Sequence, residues 1–150
     1  MAANTQPIYS LTPKISGTEI TTTNNTISDG TGSVGSSLAV VYSAGTNGSY
    51  VSVIRWSPVA TAAGTNTTAT VGRLFITSVT SGTTSPGTNI WLFAEYTLAL
   101  QSADSSSAAT YFIEIPVYKA LPANWLIVAS LHAVAANNTG WQVVAYGGDY

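Results

Sequence analysis

Short apolar runs that end in turn-forming residues are the feature that most constrains how this chain can fold. The runs are rich in β-branched and aromatic side chains, and clusters of Gly, Ser, Thr, Asn and Pro separate them. Apolar runs separated by turn-forming segments, without a sustained 3.6-residue repeat, are typical of an antiparallel all-β domain. The eight runs span residues 17–23, 37–43, 50–56, 69–77, 90–100, 111–118, 125–134 and 141–146.

Eight such runs predict an antiparallel β-sandwich, and an eight-stranded jelly-roll fits eight strands joined by loops of alternating length. Strand order does not follow from the sequence, so an immunoglobulin-like sandwich stays open. A chain of 150 residues is the size of one domain. We therefore expect a single sandwich domain over residues 17–150, preceded by an extended N-terminal arm over residues 1–16.

The arm is expected to be extended because its two prolines, Pro7 and Pro13, fix φ and disfavour a helix. Its apolar side chains can be buried in an edge strand of the same domain or against a neighbouring subunit, and the sequence leaves both open. The candidate inter-subunit contacts are Pro7, Ile8, Tyr9 and Leu11.

Both arginines of the chain lie in one predicted hairpin, Arg55 in its first strand and Arg73 in its second. Each belongs to a mostly apolar strand, where an arginine commonly pairs with a carboxylate or extends to the rim. The carboxylates Glu95 and Glu114 belong to other predicted strands, so we expect structural ion pairs among these four residues. The alternative is that the arginines line a contact with a partner, where arginine is enriched.

Charge is scarce, with 7% charged residues, a net charge of −2 and four Lys or Arg residues. Nucleic acid is therefore an unexpected partner, because its phosphates require many basic contacts. The chain has no cysteine, which excludes disulfides and thiolate chemistry. The N-terminus lacks the pattern of a secretory signal, and the longest apolar run, residues 125–129, is far below the ~20 residues of a membrane helix. We expect a soluble protein.

The sequence does not predict an enzyme or a cofactor. His132 is the single histidine, and we expect it to be a partly buried strand residue rather than the base of a triad with Asp149 and a serine. The acidic residues are too scattered for a metal site, and the Asp29–Gly30 segment is expected to be a plain turn. Glu95 could be a general acid of raised pKa, but pairing with an arginine is the favoured interpretation.

The tryptophans leave one further function open. Trp56, Trp91, Trp125 and Trp141 all fall within or at the start of predicted strands, where packing in the core is their ordinary use. Exposed aromatic rings beside Asn and Thr can instead stack on sugars, so glycan binding is kept as a minor alternative.

Several segments of the chain resemble a family of small virion proteins of tailed bacteriophages. The segments are NTQPIYSLTPKI near the start, GTNGSYVSVIRW followed by VGRLFI, the later strand IWLFAEYTL, and the terminal VVAYGGDY. The resemblance extends over most of the chain, although these motifs are patterns of strand and turn without catalytic signatures.

The resemblance implies an auxiliary capsid protein, also called a decoration or cement protein, that stabilises the outside of the capsid by multivalent docking. Its partners would be the major capsid protein and copies of itself, with a homotrimer favoured over a dimer. It would be made in the bacterial host cytoplasm and reside on the capsid surface of the virion, without nucleic acid, membrane or cofactor. The alternative is a glycan- or receptor-binding domain of a phage fibre or tail.

Overall fold

The computed structural model describes residues 12–21, 28–62, 65–101, 111–133, 135 and 138–150, and within them every regular element is a strand. No helix in these ranges is long and apolar enough to cross a membrane. The strands are β1 (Thr12–Ile20), β2 (Ser33–Val34), β3 (Ala39–Ser43), β4 (Ser49–Ala60), β5 (Thr70–Thr77), β6 (Gly82–Thr83), β7 (Ile90–Leu98), β8 (Ile113–Leu121), β9 (Leu126–Leu131) and β10 (Thr139–Asp149).

Eight of these strands form two four-stranded sheets. Sheet A has the order β1-β10-β4-β8 and sheet B the order β3-β9-β5-β7, while β2 and β6 form a separate two-stranded ribbon. Every paired neighbour is antiparallel. The predicted antiparallel all-β class is therefore confirmed, and each of the eight predicted strands has a counterpart.

One large hydrophobic cluster draws buried side chains from both sheets. Its largest fully buried members are Trp56 of β4, Trp141 of β10 and Tyr42 of β3. Leu74 on β5 and Ile127 on β9 bring sheet B into the same cluster. Burial of a large apolar side chain contributes roughly 1.5–3 kcal/mol, so this shared core is the main source of stability.

A second, smaller cluster lies on the other side of sheet B and includes Phe75 and Ile90. The loop containing Gly30 packs directly on it, since a Cβ added to Gly30 would lie 3.0 Å from Phe75 Cδ1 and φ is +89°. Thr84 holds that loop by donating from Oγ1 to Gly30 O at 2.6 Å. The chain's own loops therefore cover part of the outer side of sheet B.

The expected boundary between arm and domain, at residue 16, falls inside a strand. Residues 12–16 belong to β1, the edge strand of sheet A, because Thr12–Ile20 pairs along its whole length with β10. This part of the arm therefore pairs within its own domain, one of the two arrangements that the sequence leaves open. The candidate contacts Pro7, Ile8, Tyr9 and Leu11 lie outside the described residues.

The prolines of β4 and β8 mark interruptions in the pairing. The sequence predicts that the strand ends near Pro58, yet β4 continues to Ala60 and Pro58 pairs with Trp141 of β10. The pairing of β4 with β8 ends at Trp56, so Pro58 stands where β4 has no neighbour on that side and its missing N–H costs no ladder bond. Pro116 lies in the edge strand β8, beside a register shift.

Candidate functional site

Arg73 and Glu95 form a cross-strand ion pair on sheet B. They are directly opposite on β5 and β7, and Arg73 Nε lies 3.3 Å from Glu95 Oε2. The Arg73 side chain is 7% exposed and that of Glu95 is 43% exposed, so the pair connects the buried sheet to its solvent-facing edge strand. The pair is therefore a structural link between β5 and β7, in which the Arg73 guanidinium holds the Glu95 carboxylate.

Arg55 and Glu114 are also directly opposite, on β4 and β8, but they form no ion pair within the described part of the chain. The Arg55 guanidinium instead lies over the ring of Phe112, with Cζ 3.9 Å from the ring centroid. Its Nε is buried and has no hydrogen-bond partner. A planar, weakly hydrated guanidinium stacks readily on an aromatic face, so Arg55 and Phe112 form one stacked unit on this side of sheet A.

The outer side of sheet A, here called the open face, carries apolar and charged side chains in cross-strand rows. Ile15, at its β1 edge, is 71% exposed, and Phe112, near β8, is 50% exposed. A shallow depression lined by Gly17, Thr18, Glu19, Gln142 and Val144 lies on the β1 side. The rows are Ile15–Tyr146–Val53–Pro116, Gly17–Val144–Arg55–Glu114 and Glu19–Gln142–Ser57.

A second apolar surface, here called the β7 edge, follows the outermost strand of sheet B. Trp91 and Leu92 are each 41% exposed, and Leu100, just beyond the strand, is 58% exposed. Trp91 stacks on Trp125 with ring centroids 5.5 Å apart and an interplanar angle of 6°. The other two tryptophans, Trp56 and Trp141, are fully buried in the core, so the four divide into two core residues and one stacked surface pair.

A polar cluster that sequence reasoning missed surrounds Asp149 near the end of β10. Its carboxylate accepts hydrogen bonds from Ser49 Oγ and Tyr42 OH, and Lys14 Nζ lies 3.0 Å from Oδ2. Gly45 N donates in turn to Ser49 Oγ at 3.0 Å. These partners are far apart in sequence and belong to unremarkable residue types, so no local pattern could have identified the cluster.

The cluster changes the acidity of two of its members. Burial tends to raise the pKa of Asp149, but the hydrogen bond from Ser49 and the Lys14 ammonium outweigh it, so this pKa lies below its ordinary value of 3.8. Burial raises the pKa of the Tyr42 phenol, and the nearby Asp149 charge adds to that rise. The cluster therefore favours a charged carboxylate and a neutral phenol.

His132 is not the partly buried strand residue that the sequence predicts. It follows the last residue of β9, its side chain is exposed, and its backbone N–H donates to Val71 O. Leu126, at the other end of β9, pairs with Ser43, whose carbonyl accepts from the same Lys14 that contacts Asp149. Residues 127–131 therefore lie between Leu126 and His132, a rise of about 20 Å along the strand, so His132 and Asp149 form no catalytic pair.

Metal-ligand geometry does not occur in the described ranges, where no group of three or more His, Cys, Asp or Glu residues could hold an ion. Asp29 accepts a hydrogen bond from Thr31 N at 2.8 Å, as a turn-forming aspartate does.

No protein-family model, curated protein or solved structure matches the chain. Among the described residues, the open face and the β7 edge carry the large exposed apolar side chains Ile15, Phe112, Trp91, Leu92 and Leu100.

Proposed function

We propose that this chain is a structural virion protein of a tailed phage that decorates and stabilises the outside of the capsid. The observation that carries the proposal is the presence of two separate apolar surfaces, the open face of sheet A and the β7 edge of sheet B. Exposed apolar patches on a folded domain commonly mark contacts with other macromolecules. Two such surfaces suit a protein that touches its own copies and a shell at the same time.

The strand order supports a jelly-roll as the finer description of the fold. Successive major strands alternate between the sheets except β5 and β7, which are neighbours in sheet B; β3 is in sheet B, β4 in sheet A and β5 in sheet B. The strands β8, β9 and β10 continue this alternation. Two antiparallel four-stranded sheets connected in this way are the arrangement of jelly-roll domains in viral capsids, in agreement with the resemblance of the sequence.

The proposed mechanism is mechanical and involves no bond-making. Each subunit buries one surface against a copy of itself and another against the major capsid protein, so several weak contacts act together. Binding to the assembled shell but not to its separated subunits stabilises the shell by mass action. A chain with 7% charged residues suits this arrangement, because closely packed copies then repel one another little.

The test is attachment of the purified protein to phage heads that lack it, measured by co-sedimentation. Leu92→Gln on the β7 edge is expected to lower occupancy at least tenfold, while Thr97→Gln, also on β7, leaves it unchanged. Deletion of residues 1–11 spares β1 and tests whether the N-terminal arm contributes contacts to neighbouring subunits. Unchanged occupancy would show that attachment does not depend on the arm. Failure of the wild-type protein to bind heads at any concentration would overturn the proposed function.

The stacked pair Trp91–Trp125 favours a second candidate, a glycan-binding domain of a fibre or tail. Partly exposed indole rings can stack on the C–H face of a sugar. A glycan array probed with the wild-type protein and with Trp91→Ala separates the candidates. Saturable binding of one glycan class that Trp91→Ala abolishes would support this second candidate, whereas the capsid proposal predicts no saturable signal.

A further inference from the structure

The open face has a cationic side chain, Arg55, and a depression on opposite sides of β10. Arg55, stacked on Phe112, is on β4, and the depression around Gly17 is on β1. Both strands flank β10, and Gly17, Val144 and Arg55 are in one cross-strand row. Strands in a sheet are about 4.8 Å apart, so Arg55 and Gly17 lie at about that distance on opposite sides of β10.

Gly17, in the lining of the depression, lies where β1 approaches β10 too closely for a side chain. A Cβ on Gly17 would lie 2.7 Å from Val143 O and 3.1 Å from Val144 Cα, so only glycine fits where β1 approaches β10. Gly17 and Glu19 both line the depression. The depression therefore combines an open volume with a carboxylate.

We propose that the open face binds a second copy of this chain across a two-fold axis that runs along β10. Rotation about that axis exchanges β1 and β4, so Arg55 of each copy meets the Gly17 depression of the other and reaches Glu19. Ile15 then lies against Val53 of the other copy, and the two Tyr146 side chains meet at the axis. A two-fold contact requires a self-complementary surface, and this face supplies both shape and charge.

Charge complementarity favours a second copy over a different partner. Within the described ranges neither Arg55 nor Glu19 has an ion pair, and they carry opposite charges on opposite sides of the axis. An unrelated partner would need a matching carboxylate and a matching cation at the same spacing, whereas a second copy provides both automatically. Glu114 lies one strand further out on β8 and has no counterpart in this arrangement.

The contact is expected to be weak in dilute solution. The overlap of three strands is roughly 15 Å by 25 Å, or about 400 Å² in projection, below the ~800 Å² per partner of a standard interface. Crowding of copies on a shell would supply the missing affinity. The inference rests on the proposed function only in that it names the surface through which copies of the decoration protein associate. It assigns two-fold symmetry to that contact, whereas the resemblance favours a trimer.

The experiment is sedimentation velocity of the full chain, from micromolar to millimolar concentration, with no phage particle present. The wild-type protein is expected to shift from monomer to dimer with rising concentration. Arg55→Glu and Glu19→Arg are each expected to weaken the dimer about tenfold or more. An equimolar mixture of the two restores it, because each mixed dimer then has one reversed pair, with the carboxylate at position 55 and the guanidinium at position 19, and one native pair. Asp29→Arg makes the same charge change as Glu19→Arg on an exposed loop and should have no effect.

The mixture separates this contact from pairing within one chain, which mixing two variants cannot repair. Ile15→Asn is a further variant at an exposed position and should also weaken the dimer, while circular dichroism verifies that each variant is folded. A wild-type chain that stays monomeric at millimolar concentration, a trimer insensitive to these changes, or a mixture that fails to associate would each overturn the inference. Attachment to heads, measured separately with Leu92→Gln, tests the proposed function independently.

Discussion

Lys14 Nζ lies 3.0 Å from Asp149 Oδ2 and so fastens β1, the first strand of sheet A, to the last residue of β10. The same ammonium donates to Ser43 O at 2.6 Å and lies 5.0 Å from the centre of the Tyr42 ring. Because Ser43 and Tyr42 belong to β3 of sheet B, this one side chain also connects the two sheets. The edge strand β1, which carries Ile15, is therefore held in place near its N-terminal end.

Asp149 predicts a specific acid sensitivity. Its pKa is lowered in the folded state, so as the pH falls below about 4 the unfolded chain takes up this proton first. The stability that Asp149 provides is present above its ordinary pKa and is lost as the pH falls through the lower folded value. Asp149→Asn should cost about 1–2 kcal/mol at pH 7, and the difference from wild type should shrink towards pH 2 in urea unfolding experiments. A difference that does not change with pH would contradict this role.

Two buried serines predict opposite effects of the same substitution. Ser49 and Ser130 are both 0% exposed, but Ser49 Oγ bonds Asp149 and Gly45 N, whereas Ser130 Oγ has no partner. Ser49→Ala should lower the free energy of unfolding by about 1–3 kcal/mol, and Ser130→Ala should leave it unchanged or raise it by up to about 1 kcal/mol. Thermal and chemical unfolding of both variants provide the comparison. Equal losses would show that hydrogen bonding does not distinguish the two sites.

The Arg73–Glu95 pair predicts unequal costs for its two members. Glu95→Gln should lower the free energy of unfolding by about 1 kcal/mol or less, because the carboxylate is half exposed and well solvated. Arg73→Ala should cost more, about 2–3 kcal/mol, since the 6% exposed residue also contributes the packing of its methylene groups. Denaturant unfolding measures both, and a larger loss for Glu95→Gln would contradict this division.

The backbone conformation of Tyr118, in the edge strand β8, predicts that glycine is preferred at this position. Its φ is +46°, at the place in β8 where residues 117 and 118 face Ser52 alone. Left-handed backbone costs a residue with a side chain about 1–2 kcal/mol, a cost that glycine avoids. Tyr118→Gly should therefore be at least as stable as wild type, whereas Tyr118→Val should lose about 1 kcal/mol because a β-branched residue tolerates this region poorly. A higher calorimetric melting temperature for Tyr118→Val than for Tyr118→Gly would contradict the backbone strain assigned to this position.

The strands could be predicted because each is encoded locally. The run at residues 69–77 alternates apolar side chains between loops of small polar residues, and β5 extends over Thr70–Thr77. The pairing of Glu95 with one of the two arginines was also predictable in kind, because a mostly apolar strand leaves a carboxylate few alternatives. The choice of Arg73 depends on the register of β5 and β7, which no local pattern contains.

The remaining features depend on contacts between distant residues. Strict alternation places Val51 and Val53 on one face of β4, but a register shift between them puts Val51 and Ile54 together in the core. The Asp149 cluster joins residues more than 90 positions apart. The stacking of Arg55 on Phe112 likewise could not be inferred, because an arginine beside Glu114 in register is expected to form an ion pair.

The proposed capsid role is tested most directly by an electron-microscopy reconstruction of the particles assembled from the genome that encodes this chain. We predict density for the two four-stranded sheets on the outer surface of the capsid, at symmetry-related positions, with the β7 edge against the major capsid protein. Density for the chain at a fibre or tail alone, or purified particles that do not contain the chain, would contradict the capsid-decoration account.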